Sequence, residues 1–302
     1  MTSGLRGILP VLPTPFAADG GIDGAGMARL VRFAVEKGVD GVVFPGFASE
    51  VETLKGEERA ALLKIVVAEA DGRVPVVAGA SAADWREVVE HGRTAAALGI
   101  RHLMVQPPKS VGVDAPALTE FLGHVLDALP GVEIILQNAP APRGSDLSPE
   151  AIIEVVKALP RVAYVKEETL PAGPAISHII ANAPSTLKGV IGGGGARYIL
   201  DEYARGATAA MPALEIIEEH VAMDRAWSAG RREEARAIYV RTLPLLVLQA
   251  VYRMRLTKHV LKRRGVIEHT GVRAPTPALD TPAIADIDNN LAELGLLVAE
   301  AA

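Results

Sequence analysis

A lysine at the end of an apolar run is the residue of this chain whose placement most suggests chemistry. Lys166 follows Val162-Ala163-Tyr164-Val165 without a break, which predicts an amine at the inner end of a buried strand. A free lysine has a pKa of about 10.4, and burial can lower it by roughly 3–5. A neutral amine can attack a carbonyl carbon and form a Schiff base, which turns that carbon into an electron sink. The alternative is a structural ion pair of Lys166 with Glu167 or Glu168, and position alone leaves both open.

Other polar residues also end apolar runs. They are Thr14, Ser49, Glu50, Gln106, Gln137, Asn138, Glu167, Glu168 and the four glycines Gly192–Gly195. The backbone N–H groups of such a glycine loop can cradle an anion such as phosphate, or the loop can simply border a substrate pocket. We take Gly193 and Gly194 as candidate substrate-binding residues.

The elements that must position these residues are alternating strands and helices. Eight apolar runs predict parallel strands at Gly7–Thr14, Gly41–Gly46, Val74–Ala80, His102–Pro107, Glu133–Asn138, Val162–Glu168, Leu187–Gly193 and Ala207–Ala213. Amphipathic stretches between them predict helices at Asp23–Lys37, Glu57–Ala70, Ala83–Leu98 and Ser148–Ala158. Eight βα units in sequence predict an α/β fold of the (β/α)₈ TIM barrel type, in which catalytic groups lie at the carboxyl ends of the strands.

The rest of the chain predicts a helical extension on that barrel. Helices are expected over Ala235–Leu261 and Pro282–Leu297. We therefore expect a catalytic barrel domain over residues 1–214, with its last helix continuing to about 230, and a C-terminal helical extension over 231–302.

Composition and charge exclude several classes of function. The chain has 302 residues and a net charge of −5, with no basic block interleaved with aromatic residues, so no nucleic-acid partner is expected. Neither a secretion signal nor a membrane span is evident, which favours a cytoplasmic protein. The absence of cysteine removes thiolate chemistry, and no two of the seven histidines are spaced i, i+4, so no metal site is expected.

An ordered set of short motifs resembles the dihydrodipicolinate synthase/N-acetylneuraminate lyase family. The motifs are Thr14-Pro15-Phe16, Gly46-x-x-x-Glu50, Leu54-x-x-x-Glu58-Arg59, Gln137-Asn138-x-Pro140, Val165-Lys166-Glu167 and Val272-Arg273-x-Pro275. The resemblance implies that Lys166 forms a Schiff base with pyruvate or another 2-oxo acid, without metal or organic cofactor. It also implies a homotetramer as the usual assembly. The loop that holds the 2-oxo acid carboxylate in the family corresponds here to a segment containing Ala48, Ser49 and Glu50.

The chain departs from the family where protons are moved. The family's Tyr-Asn-x-Pro stretch has Gln137 in place of the tyrosine, and its Pro-Tyr-Tyr stretch is Pro107-Pro108-Lys109. An amide has no titratable proton near neutral pH, so proton transfer falls to a carboxylate or water, and Glu168 is our candidate. The substrate-carboxylate arginine of the family usually follows the proline by two residues, whereas Arg143 follows Pro140 by three. Arg143 is thus either a substrate ligand or a solvated loop charge.

The chain has Gln137 at the tyrosine position, a Ser49-Glu50 pair in the carboxylate loop and a Lys166-x-Glu168 stretch. In these features it most resembles one branch of the family, the 2-keto-3-deoxy sugar acid dehydratases. Schiff-base formation at C2 acidifies C3, so a carboxylate can remove a C3 proton while the C4 hydroxyl leaves as water. We therefore favour a dehydratase that uses Lys166, Glu168 and Gln137, with Asn138 among the substrate-binding residues. The alternatives are a pyruvate-dependent aldolase or synthase, a non-catalytic barrel that binds a 2-oxo acid, and a phosphate-handling barrel enzyme that uses the glycine loop.

Overall fold

The computed structural model describes residues 4–297, over which β-strands and α-helices alternate. The strands are β1 (Gly7–Ile8), β2 (Val42–Phe44), β3 (Val76–Gly79), β4 (His102–Val105), β5 (Glu133–Asn138), β6 (Val162–Glu167), β7 (Gly189–Gly192) and β8 (Ala209–Ala210). The helices are α1 (Gly24–Glu36), α2 (Gly56–Ala70), α3 (Trp85–Ala97), α4 (Ala115–Ala128), α5 (Pro149–Ala158), α6 (Ala172–Asn182), α7 (Ile199–Ala204), α8 (Ile217–Ser228), α9 (Arg232–Tyr252), α10 (Met254–Arg263) and α11 (Thr281–Glu293).

The strands form one sheet in the order β1-β8-β7-β6-β5-β4-β3-β2. The pairs from β3 to β8 are parallel. A parallel bridge between Val11 and Val43 joins the segment after β1 to β2, the two ends of that order. Every residue of β6 is buried, as expected for a parallel strand covered on both faces. All eight strands fall inside the apolar runs that predict them.

Contacts divide the described chain into two compact units. Unit 1 comprises residues 4–7, 76–194 and 198–211, and it holds β3 to β8 with helices α3 to α7. Its helices bury one apolar face each, as α5 does with Ile152, Ile153, Val155 and Val156. The α5 helix begins as predicted, because the Ser148 hydroxyl accepts a hydrogen bond from the Ala151 N–H with Pro149 at the first helical position.

Unit 2 comprises residues 8–75, 195–197 and 212–297, and it includes β2, α1, α2 and helices α8 to α11. Its C-terminal helices pack around one apolar cluster made of Ile216, Leu245, Leu246, Leu256, Val260, Ile287 and Leu291. The domain bounds expected at residues 214 and 231 stay a prediction, and their outer limits, residues 1 and 302, lie outside the described residues.

Two predicted helices end differently in the structure. The single helix expected over 235–261 is wrong, because Arg253 has φ 48° and ψ −123°, which ends α9 and lets α10 begin at Met254. Apolar periodicity does not reveal the break, since both helices bury residues in the same cluster. The last helix ends at Glu293 rather than at Leu297, because Gly295 at φ 69° turns the chain and Leu296 donates its N–H back to Leu291.

No helix within residues 4–297 combines the length and the apolar character that crossing a membrane requires.

Candidate active site

The register between β5 and β6 places Gln137 beside Lys166. Gln137 pairs with Lys166 and Asn138 pairs with Glu167. Because successive side chains of a strand point to opposite faces, Gln137 and Lys166 share one face of the sheet while Asn138 and Glu167 share the other.

Glu168 lies just past the end of β6, yet it continues the ladder by donating its N–H to the Asn138 carbonyl at 2.9 Å. Its side chain therefore returns to the face of Lys166, as expected from a spacing of two residues. The Oε2 atom of Glu168 lies 3.3 Å from Nζ of Lys166, and the two side chains are only 7% and 5% exposed. The structure thus contains a buried amine–carboxylate pair at the carboxyl end of β6.

Three further groups converge on the Glu168 carboxylate. The Gln137 amide donates to Oε2 at 2.7 Å, and the Arg143 guanidinium lies 3.6 Å from the same oxygen. The Gly194 N–H donates to Oε1 at 3.3 Å. Of the predicted site residues, Lys166, Glu168, Gln137, Arg143 and Gly194 are therefore brought together, and we call these five residues the Glu168 cluster.

Burial and charge set the protonation states of the central pair. Burial lowers the pKa of Lys166, and the adjacent Glu168 carboxylate opposes that change only in part. Burial alone would raise the pKa of Glu168, but Lys166, Arg143 and the hydrogen bonds of Gln137 and Gly194 outweigh it and hold that pKa at about 2. The carboxylate is ionised at neutral pH, so it can act as a base but holds no proton to give in the resting state.

The glycine loop after β7 makes room for this carboxylate. A Cβ atom on Gly193 would lie 2.4 Å from Cγ and 2.6 Å from Oε1 of Glu168. Both distances are shorter than the non-bonded contacts that Cβ atoms make in proteins. Gly194 has φ 57°, in the left-handed region that favours glycine. Since the Gly194 N–H already binds Glu168, the structure gives this loop a role other than cradling phosphate.

Asn138 lies on the other face of the strand with its hydrogen-bonding groups engaged. Its amide donates to the Leu147 carbonyl at 3.0 Å and to Glu167 Oε2 at 2.9 Å, and its oxygen accepts from the Leu147 N–H at 2.8 Å. Glu167 in turn accepts from the N–H of Thr169 at 2.8 Å. Asn138 pins the loop after β5 to β6 and is not part of the Glu168 cluster.

The loop predicted to hold the carboxylate of a 2-oxo acid belongs to unit 2. Its Ser49 hydroxyl donates to the Leu12 carbonyl at 2.5 Å and accepts from the Gly46 N–H at 2.9 Å. The Ser49 N–H closes a 3₁₀ turn on the Gly46 carbonyl at 2.9 Å. The hydroxyl therefore shapes the loop, and any anion bound there would rely chiefly on the backbone N–H of a residue such as Ala48.

Glu50 ends that turn in the left-handed conformation, with φ 60°, and both of its carboxylate oxygens are engaged. Oε1 accepts from Nζ of Lys258 at 2.6 Å, and Oε2 accepts from the N–H groups of Arg273 and Ala274 at 2.6 and 2.7 Å. Lys258 is fully buried and also donates to the Gly271 carbonyl at 2.6 Å. These bonds make Glu50 a structural anchor within unit 2.

Glu202, a buried carboxyl group of α7, is not among the residues predicted from the sequence. Glu202 is 1% exposed, and burial raises its pKa to about 8, although the Gly193 backbone N–H acts to lower it. Its neighbours Ile199 and Tyr203 on the helix are buried too. A glutamate among the apolar residues of a core-facing helix surface is the sequence signal that could have revealed it.

Within the described part of the chain, no group of three or more His, Cys, Asp or Glu residues is arranged to hold a metal ion. The expectation that no metal or organic cofactor is needed stays a prediction.

Comparisons with known proteins agree over nearly the full length of the chain. The model of the dihydrodipicolinate synthetase family matches residues 4–293. The L-2-keto-3-deoxyarabonate dehydratase of Azospirillum brasilense is 31% identical over 286 residues, which cover 93% of this chain and 92% of that protein. The 4-hydroxy-tetrahydrodipicolinate synthase of Acidobacterium capsulatum is 30% identical over 302 residues, or 97% of each chain.

Solved structures agree in fold. Dihydrodipicolinate synthase from Rhodopseudomonas palustris has a TM-score of 0.88 at 25% identity, covering 96% of this chain and 97% of that one. YagE, a prophage protein of the dihydrodipicolinic acid synthase family from E. coli K12 in complex with pyruvate, has a TM-score of 0.87 at 25% identity, covering 97% and 100%. The predicted (β/α)₈ barrel with a C-terminal helical extension is confirmed, as is the predicted family.

Proposed function

The chain belongs to the dihydrodipicolinate synthetase family, and on that premise we propose that it dehydrates a 2-keto-3-deoxy sugar acid through a Schiff base on Lys166. It is a lyase of the class I, Schiff-base type that acts on a small molecule. The proposal of dehydration rests on one observation. The Glu168 carboxylate lies 3.3 Å from the Lys166 amine and is held by the Gln137 amide, where the family has a proton-relaying tyrosine.

The first step is attack of Lys166 on the C2 carbonyl of the substrate. Burial favours the neutral amine, which is the nucleophile. The nitrogen bonds to C2, and the carbonyl oxygen leaves as water with one proton from the amine and one from solvent. The product is a cationic iminium, so the Glu168 carboxylate has a positively charged partner after this step.

Glu168 is placed to remove the proton from C3. Because C3 is two bonds from the iminium nitrogen, it lies about 2.5 Å from that atom, within reach of a carboxylate 3.3 Å from the same nitrogen. The C3–H electron pair moves into the iminium and gives an enamine, and the proton moves to Glu168. The low pKa of Glu168 keeps it ionised until this step.

The same carboxyl group can complete the dehydration. The enamine expels the C4 hydroxyl, which takes the proton from Glu168 and leaves as water, and a conjugated iminium remains. Water then hydrolyses the iminium, which releases the product and restores Lys166. Gln137 and Arg143 stabilise the carboxylate at the start and end of this cycle, and no titrating phenol is needed.

The arrangement supports dehydration over carbon–carbon bond chemistry, because an amide at Gln137 cannot carry the proton of a C4 hydroxyl as a retro-aldol cleavage requires. A relative from Azospirillum brasilense is named as an L-2-keto-3-deoxyarabonate dehydratase, which supports dehydration. A synthase or aldolase that uses pyruvate is the second candidate, because other relatives of similar identity are 4-hydroxy-tetrahydrodipicolinate synthases.

Borohydride reduction in the presence of pyruvate tests the Schiff base, with intact mass as the readout. We expect a covalent adduct in the wild type and none in Lys166→Ala. No wild-type adduct, or an adduct that persists in the variant, would overturn the lysine assignment. Product analysis with a 2-keto-3-deoxy pentonate then separates the two candidates. Dehydration yields the water-loss product, whereas pyruvate with an aldehyde would establish the aldolase.

Assembly, location and the remaining binding residues complete the proposal. We expect a cytoplasmic homotetramer, which light scattering after size exclusion would test, and a carboxylate-binding role for the loop containing Ala48 and Ser49. Arg143 is proposed to hold the Glu168 carboxylate rather than to be a solvated loop charge, since it lies 3.6 Å from that group.

A further inference from the structure

Glu202 and Glu168 approach two consecutive glycines from opposite faces of the sheet. A Cβ atom on Gly192 would lie 2.0 Å from Glu202 Oε2, and one on Gly193 would lie 2.4 Å from Glu168 Cγ. Gly192 pairs with Glu167, whose side chain shares the face opposite to Lys166. Glu202 therefore lies behind the strand and does not face the proposed substrate.

The backbone between these glycines connects the two carboxyl groups. The Gly193 N–H acts on the Glu202 carboxyl group and lowers its pKa, and the next N–H, that of Gly194, donates to Glu168 Oε1 at 3.3 Å. Two successive peptide groups, Gly192–Gly193 and Gly193–Gly194, thus lie between the carboxyl groups, the first against Glu202 and the second bound to Glu168. The Oε2 atom of Glu202 is buried and has no hydrogen-bond partner among the described residues.

We infer that Glu202 is a positioning residue for the proposed base Glu168, since it fixes the glycine backbone whose N–H groups orient that carboxylate. This inference rests on the proposed function. Glu202 does not touch the substrate and acts only through the backbone of Gly192–Gly194.

The surroundings indicate that Glu202 works in its protonated form. The charged groups that act on it are Glu168 and Lys166 from the end of β6 and Asp201 from its own helix, and Asp201 is itself paired with Arg205. With burial, the two carboxylates outweigh Lys166 and keep the pKa of Glu202 at about 8. Above that pH Glu202 would become a carboxylate behind the glycine backbone. Its negative charge would repel the Glu168 carboxylate and shift it from its position.

The test combines two readouts on Glu202→Gln, Glu202→Ala and the control Glu154→Gln, an exposed glutamate of α5. Deuterium exchange at C3 of pyruvate, followed by NMR, reports the action of Glu168 whatever the natural substrate is. Glutamine keeps a neutral acceptor for the Gly193 N–H, so we expect exchange within about twofold of wild type near neutral pH. Alanine removes the group that holds the glycine backbone, and we expect exchange to fall about tenfold to hundredfold, the scale of losing the Gly194 hydrogen bond to the charged Glu168 carboxylate.

The pH profile separates positioning from mere folding. Wild-type exchange is expected to decline above about pH 8, and Glu202→Gln is expected to lose that decline while Glu154→Gln keeps it. Profiles of wild type and Glu202→Gln that superimpose, or wild-type exchange in Glu202→Ala, would overturn the inference.

A measurement that needs no activity distinguishes this inference from the proposed function. Infrared difference spectra between about pH 6 and about pH 9 should show loss of a protonated carboxyl band that is absent in Glu202→Gln, because Glu202 titrates in this range and Glu168 does not. Amide hydrogen exchange over residues 190–198 should be faster in Glu202→Ala. Absence of a borohydride adduct in the wild type would refute the proposed function alone. Infrared and amide-exchange signals that are the same in the wild type and the Glu202 variants would refute the role of Glu202.

Discussion

Replacing Glu168 by glutamine should separate Schiff-base formation on Lys166 from removal of the C3 proton. The variant keeps the size of the side chain but removes the base that lies 3.3 Å from the Lys166 amine. Positioned general bases contribute about 10²- to 10⁴-fold to proton transfer, so deuterium exchange at C3 of pyruvate should fall by about that factor. The Lys166 pKa should fall further, because the Glu168 carboxylate is the largest influence that raises it.

Schiff-base formation should therefore survive in Glu168→Gln. More of the lysine is neutral at a given pH, so the yield of borohydride adduct with pyruvate should equal or exceed that of wild type. Glu133→Gln, at the opposite end of β5, is the matched control and should leave both readouts unchanged. A thermal melt confirms that the variant is folded.

Two results would refute this reasoning. Undiminished C3 exchange in Glu168→Gln would mean that another group is the base. Loss of the adduct in a folded Glu168→Gln would mean that the carboxylate is needed for attack on the carbonyl, contrary to the separate roles derived from the geometry.

Gly193→Ala should lower C3 exchange at least about tenfold, because its methyl group would displace the Glu168 carboxylate. Gly123→Ala in α4 should match wild type, because its methyl group would have no atom within 4 Å beyond its chain neighbours and the backbone of its own helix. Acid should destabilise the protein through Glu168, whose folded pKa of about 2 lies below the ordinary 4.5. Its contribution, about 3 kcal/mol, is present above about pH 4.5 and is lost toward pH 2, so urea midpoints should fall less steeply with acid in Glu168→Gln. Equal pH dependence of the urea midpoint in wild type and Glu168→Gln would contradict the pairing of Glu168 with Lys166. Lys258→Met should cost about 3–5 kcal/mol in urea unfolding by leaving a buried Glu50 charge unpaired, and adding Glu50→Gln should recover part of that loss; no recovery would rule out the unpaired charge as the cause.

The strands and the central pair can be predicted from short stretches of sequence. Eight apolar runs contain the eight strands found within residues 4–297, and the two-residue spacing of Lys166 and Glu168 places both on one face at the carboxyl end of β6. These features are local, because burial leaves a continuous apolar run and the two-residue period of a strand fixes which side chains share a face. The position of Lys166 is therefore readable from a few adjacent residues.

The groups that surround that pair depend on contacts between distant segments of the chain. Whether Arg143 reaches Glu168, and whether Asn138 instead faces Glu167, depends on the register of β5 and on the path of the loop that follows it. Glu202 reaches the glycine backbone from a helix, and Glu50 is bound by Lys258 from 208 residues away in sequence. Such contacts join segments that are distant along the chain, so local periodicity carries no information on them. They exist only once packing has brought those side chains within hydrogen-bonding distance.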